Sequence, residues 1–330
     1  MPALTRRHFL AAASGALASA ALADGVATSA PSSGTGFIHD ERYLRHIMRP
    51  GAPESPQRLS AIVDAMHKTG LDAKVTHLPP IDDPMPWIKQ VHSTSHIDKI
   101  RAIPTTGPIA ELAVAGALAG VAAVSDGRVR NAFCAIRPPG HHAQNTGREE
   151  GFCYYNNVAV AARYAQSRGH ARILIIDWDY HHGNGTEKAF WDDPTVLYFS
   201  THDARAYPGT GSPSRKGGPH KATLGYNVNV DLHCGATDAD MVAAWDRHLM
   251  PVVERFRPDV VLISAGFDSR VDDTLGCFKV TDIGFMQLTK KAMRIADAHC
   301  GGRLVSVLEG GYNVNGLALA TCAHVKALLE

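Results

Sequence analysis

From Asn131 onward the chain repeats one unit: a short apolar run, a polar loop and an amphipathic stretch. The runs Ala132–Ile136, Arg172–Ile176, Thr195–Ser200, Tyr226–Val230, Val260–Ser264 and Leu304–Leu308 are mostly apolar, the pattern of strands buried in a parallel sheet. Helical spacing falls between most of them, at Asn157–Ser167, at Asp238–Arg257 with a kink expected at Pro251, and at Thr281–His299. Strands that alternate with helices and are buried on both faces require crossover connections. The expected fold is therefore α/β, a single domain with a mostly parallel open sheet and helices on both faces. Upstream, strands are expected at Thr35–Ile38 and Ala73–Leu78. A helix is expected from Ser55 to Gly70, with Ser55 as its cap and Pro56 in its first turn. Further helices are expected over Pro86–Ile103 and Ile109–Val124, the latter rich in Ala and Gly and suited to close packing.

In a parallel sheet every C-terminal strand end lies on one edge, where ligands bind. Four such ends carry unusual polar sequences: Arg137-Pro138-Pro139-Gly140-His141-His142, Asp177-Trp178-Asp179-Tyr180-His181-His182-Gly183-Asn184-Gly185, Ala265-Gly266-Phe267-Asp268 and Glu309-Gly310-Gly311-Tyr312. Residues two apart in extended chain point the same way, so Asp177, Asp179 and His181 share a face. A carboxylate and an imidazole aimed together form a donor pair that Zn2+ accepts, and Asp268 adds a carboxylate after another buried strand. His182 points to the opposite face from His181 and is expected to be structural.

Composition excludes other classes. The chain of 330 residues has a net charge of +1 and no dense Lys/Arg block, so no nucleic-acid partner is expected. No apolar run long enough to span a bilayer is expected in the mature chain, hence no membrane insertion after signal removal. Thr5-Arg6-Arg7-His8-Phe9-Leu10 resembles a twin-arginine export signal, with Ala21-Leu22-Ala23 suited to cleavage and Ala30 as an alternative. Residues 1–30 are thus expected to be a signal peptide and leader, 31–330 the catalytic domain, and the mature protein periplasmic or secreted. Six cysteines, at 134, 153, 234, 277, 300 and 322, show no metal or redox spacing and name no disulfide.

Together the four motifs resemble the zinc-dependent histone deacetylase superfamily, including class II-like bacterial deacetylases and acetylpolyamine amidohydrolases, over the chain from about Phe37 onward. The resemblance implies an arginase/deacetylase-like fold and hydrolysis of an N-acyl, typically N-acetyl, amide of an amine on an alkyl chain. It implies Asp179, His181 and Asp268 as zinc ligands, and His142 as the general base that later protonates the amine. His141 would be its electrostatic partner, Asp177 and Asn184 would orient the two histidines, and Tyr312 would donate to the oxyanion. Asn184 stands where many relatives carry Asp, so His142 is expected to be less basic. Phe152, Tyr207, Leu275, Gly151 and Gly310 are expected along the substrate channel, and a structural K+ near Asp177, Ser200 and Thr201.

The sequence departs from the family upstream. Only Pro104-Thr105-Thr106-Gly107-Pro108 bridges the gap where relatives carry a long loop with an acidic residue, and the first acid is Glu111. A shorter, more open rim is expected, favouring a small acylated polyamine or amino acid over an acetylated protein. Homo-oligomer assembly is compatible with the sequence. The competing readings are an arginase-like binuclear Mn2+ hydrolase and a non-catalytic binding protein for acylated or cationic ligands.

Overall fold

The computed structural model describes residues 34–219 and 221–330. The signal sequence expected over 1–30 lies outside the described residues. Eight strands form one sheet: β1 (Thr35–Ile38), β2 (Thr76–Leu78), β3 (Asn131–Cys134), β4 (Ile173–Asp177), β5 (Val196–His202), β6 (Asn227–Asp231), β7 (Val260–Ala265) and β8 (Leu304–Leu308). Their order is β2-β1-β3-β8-β7-β4-β5-β6, and every pairing is parallel. The strands that end in the four polar motifs, β3, β8, β7 and β4, are therefore contiguous at the centre of the sheet. Sequence separation disappears at that edge.

The alternation within β3 shows why the runs are mostly apolar. Phe133 packs against His324 of α10 (Val314–Leu328), ring centroids 5.3 Å apart, while the thiol of Cys134 lies against Gly120 of the helix Thr106–Ser125 on the other face. Each face needs an apolar cover. With α1 (Pro56–Lys68), α2 (Met85–Val91) and α3 (Thr94–Arg101) preceding it, Thr106–Ser125 is α4. A Cβ on Gly120 would stand 2.7 Å from Cys134 Sγ and 2.9 Å from a Val305 methyl, so only glycine permits this approach of helix to sheet. Helix α4 has the length and apolarity to cross a membrane, contrary to the expectation of no such run, yet 83% of its apolar window is buried in the fold.

Some local expectations change. Ser55 stands at the N-cap of α1 but makes no capping bond through its side chain. The stretch Pro86–Ile103 is two helices, because Ser93 caps α3 by accepting the His96 N–H and breaks the run. After α5 (Asn157–Ser167) and α6 (Asn184–Phe190), the region expected as one helix divides into α7 (Asp238–Ala244), a π-helical turn at Trp245–Leu249 and α8 (Met250–Phe256). Pro251 has no N–H for the helical ladder, and the wider turn lies just before it. Then follows α9 (Asp282–His299), with Thr281 as its N-cap through a bond from Gly284 N–H. Cys234 and Cys277, left unpaired in the sequence reading, form a disulfide with Cα atoms 5.1 Å apart.

A buried ion network anchors the loops beneath the sheet edge. Glu54 accepts Arg137 Nε at 2.6 Å and Nη2 at 2.8 Å, and Arg58 Nη1 at 3.2 Å, with all three side chains fully buried. Arg58 also reaches the carbonyls of Gly311 and Glu309, and Arg137 those of Tyr43 and His46. Despite the opposing effect of burial, the bond to His46 and the two guanidinium charges hold the Glu54 carboxyl at about 2. Removing this carboxylate would strand two cations. Glu54→Ala is expected to cost about 3–5 kcal/mol in urea unfolding; a loss below about 1 kcal/mol would contradict the network's structural role.

Candidate metal centre and active site

The β4 end delivers Asp179 and His181 to one side, as extended geometry requires, and the β7 end delivers Asp268 opposite them. Donor atoms of these three residues lie within 4.8 Å of one another. His181 Nδ1 is 2.9 Å from Asp268 Oδ2 and 3.2 Å from Asp179 Oδ1. The remaining carboxylate oxygens are held from behind: Asp268 Oδ1 accepts Tyr180 N–H at 2.8 Å, and Asp179 Oδ2 accepts Gly310 N–H at 2.9 Å. Both acids are fully buried. Burial and the neighbouring Asp179 carboxylate push Asp268 up to about 7. The two carboxylates overcome the effect of burial on His181 and raise it to about 10. Two buried acids in contact resist ionising together, and a divalent cation between them removes that conflict. The donor set, two carboxylates and an imidazole, fits zinc.

The paired histidines come from the β3 end. His141 Nδ1 is 3.1 Å from Asp177 Oδ2, which also accepts the Tyr198 hydroxyl at 3.0 Å. His142 Nδ1 is 2.8 Å from Asn184 Oδ1, at the first turn of α6. The two environments separate two adjacent imidazoles. Burial opposes a charge on His141, but Asp179 and Asp177 outweigh it and hold the group well above its ordinary value. Burial, then the positive His141, push His142 well below its own. The expected low basicity of His142 is present, yet its main cause is burial; the Asn184 bond slightly favours the charged ring. The turn carrying both rings hangs on Glu309, whose Oε2 accepts the N–H groups of Gly140 at 2.6 Å and His141 at 3.1 Å. Sequence reasoning assigned Glu309 no role; its signal was an acid directly after an apolar strand.

Of these groups His142 and His181 line a cavity of about 810 Å3, bounded also by Gly151, Phe152, Tyr180, Tyr207, Leu275 and Tyr312, with Arg49, Arg148, Glu149, Glu150 and Ala206. Tyr207 stands edge-on to His142, ring centroids 4.9 Å apart, and Phe152 stands edge-on to Tyr312 at 5.6 Å. Gly151 has φ +54°, and a Cβ there would collide with the His142 ring and press on Tyr207, so the channel wall requires glycine. The Tyr312 hydroxyl has no hydrogen-bond partner among the described residues and remains available to a ligand. Gly310 lies beneath the channel: a Cβ there would meet Asp268 and Asp179. Leu275 and Tyr207 are 43% and 50% exposed and stand at the mouth.

Other sequence candidates lie elsewhere. His182 faces away from the cavity, bonded to Thr210 Oγ1 at 2.7 Å and packed on His202. Ser200 Oγ bonds His202 Nδ1 at 2.8 Å, and the buried Thr201 hydroxyl has no partner among the described residues. Glu111 sits on α4, ion-paired with Arg101 at 2.9 Å, and does not line the cavity. Tyr180 was not assigned to the channel from sequence; it lines the cavity and bonds Asp203 at 3.2 Å.

The chain that brings these groups to the C-terminal edge of a parallel sheet is similar to known proteins over most of its length. The family model for the histone deacetylase domain matches residues 52–328. A probable deacetylase of Archaeoglobus fulgidus is 36% identical over 299 residues, 86% of this chain and 82% of that protein. Histone deacetylase 15 of Arabidopsis thaliana is 36% identical over 329 residues, 92% of this chain and 58% of the relative. The polyamine deacetylase HDAC10 of Homo sapiens is 36% identical over 302 residues, 84% of this chain and 44% of the relative. The chain thus spans about half the length of these two relatives. The crystal structure of the HDA15 HD domain superposes with a TM-score of 0.83 at 34% identity, covering 90% of this chain and 89% of that one. The chain belongs to the histone deacetylase family.

Metal binding must expel protons from this site. His181 holds a proton below about 10, and Asp268 below about 7. Calorimetry in buffers of differing ionisation enthalpy should show about two protons released per zinc on the acid side of neutrality, where a zinc-bound water stays unionised. Affinity should fall more steeply on the acid side. Zinc uptake there without proton release would contradict the ligand assignment.

Proposed function

We propose that the protein is a zinc-dependent deacylase that hydrolyses the acyl amide of an amine carried on an alkyl chain. One observation carries this reading: the Asp179/His181/Asp268 cluster lies against the same cavity that His142 and the unpartnered Tyr312 hydroxyl line. Zinc held by those three residues would acidify water and polarise the amide carbonyl. The chain's own groups supply the rest. Nδ1 of His142 is fixed by Asn184, which leaves Nε2 to take a proton from the attacking water and return it to the departing nitrogen. A ring held neutral at neutral pH suits the first of those tasks. His141, kept cationic by Asp177 and Asp179, adds positive charge beside the reacting carbonyl. Tyr312 donates its hydroxyl to the oxygen that becomes negative as water adds. The C–N bond then breaks to give a carboxylate and a free amine, while Phe152, Tyr207 and Leu275 flank the alkyl chain.

Two further assignments belong to this reading. The same reading assigns a structural K+ to the neighbourhood of Asp177, Ser200 and Thr201, whose buried hydroxyl, without a partner among the described residues, offers a hard oxygen donor. The twin-arginine sequence at Thr5–Leu10 marks the protein for export, and the Cys234–Cys277 disulfide suits the oxidising compartment it would reach.

Acetate release from acetyl-lysine and acetylpolyamine panels tests the chemistry. Activity should disappear with a chelator and return with zinc; zinc-loaded protein inactive on every acyl amide would refute the reading. Tyr312→Phe should lower kcat by about 10²–10³-fold with KM changed only a few-fold. Equal losses in binding and turnover would remove Tyr312 from the oxyanion role.

A further inference from the structure

The mouth of the cavity carries charges that the hydrolysis does not use. Arg49 and Arg148 both line it and are exposed, and neither guanidinium has a hydrogen-bond or carboxylate partner among the described residues. The nearby acids keep their charge, but most of their oxygens accept hydrogen bonds from the protein itself. Glu150 accepts the Gln144 backbone N–H at 2.9 Å and its side-chain amide at 3.2 Å, using both oxygens. Glu149 Oε1 accepts Phe152 N–H at 2.5 Å, which leaves Oε2 unspent. Asp273, just before Leu275, accepts four backbone N–H groups, from Leu275, Gly276, Tyr312 and Asn313. Glu111 is withdrawn to Arg101. Two guanidinium groups without a partner thus line the mouth, whereas among the oxygens of Glu149 and Glu150 only Glu149 Oε2 is not engaged by the protein.

We propose that this mouth selects an N-acylated amino acid with a free carboxylate, which Arg49 and Arg148 bind while the acylated alkyl arm enters between Phe152 and Tyr207. The free oxygen of Glu149 is placed to accept the α-ammonium of the same headgroup. The proposal rests on the deacylase reading and narrows its substrate class. It disfavours acylated polyamines, which carry no carboxylate for the two guanidinium groups to bind.

Three substrates with the same acetylated five-carbon arm isolate the headgroup: Nε-acetyl-L-lysine, its carboxamide and N-acetylcadaverine. Zinc-loaded protein should hydrolyse the free acid with a kcat/KM about tenfold above the carboxamide and further above acetylcadaverine, mainly through KM. That preference should shrink as salt is raised, because the cations are exposed. In the double variant Arg49→Ala/Arg148→Ala the ratio of acid to carboxamide should fall towards one. A ratio taken within one protein does not depend on the fraction folded. Equal rates on the three substrates, a preference for acetylcadaverine, or a preference that survives both substitutions would overturn the proposal while leaving the deacylase reading intact. Acetate from none of the three would overturn this proposal, and the deacylase reading falls with it if the wider acyl-amide panel is inactive too.

Discussion

Two carboxylates, Asp179 and Asp268, are buried completely and share one imidazole, His181. Left to themselves they conflict: Asp268 is pushed up to about 7 because its ionisation is opposed by burial and by Asp179. A fold tolerates such a pair only where a cation resolves it or where the surrounding structure holds it in place. Here the surroundings do hold it. Backbone N–H groups of Tyr180, His181 and Gly310 grip the carboxylates, and these segments belong to the ends of β4 and β8. The site is thus written into the sheet edge, with rigid strands below each ligand.

A further layer positions the acid–base pair. Glu309 ties the histidine turn to the β8 end, and the Glu54–Arg58–Arg137 network ties both to the early loop. Glycines set the clearances. Gly151, Gly266 and Gly310 stand where any Cβ would displace a histidine or a carboxylate. The resulting division of charge, with His141 raised and His142 lowered, comes from burial and the placement of acids around two neighbouring rings. One chain segment therefore provides two imidazoles of different character.

Much of this was legible in the sequence. Strand runs such as Ile173–Ile176 announce burial on both faces, and period two alone places Asp179 and His181 together. What was not legible depends on tertiary placement. Nothing near Cys234 or Cys277 in sequence indicates their pairing across 43 residues. Ser93 divides a stretch whose composition reads as one helix, because its cap bond to His96 competes with the helical ladder. The low basicity of His142 was traced to Asn184 from sequence, whereas burial and His141 dominate, and burial is a property of the whole fold. Family membership and the parallel fold now rest on the domain match and the superposition, which agree with the strand order.

The central claim is that the Asp179/His181/Asp268 cluster holds one zinc ion. Metal analysis of the purified protein beside its Asp268→Asn variant tests it most directly. The account predicts about one zinc per chain in the unaltered protein, and little in the variant at unchanged secondary structure. Two manganese ions per chain, or zinc retained in full by the variant, would contradict it.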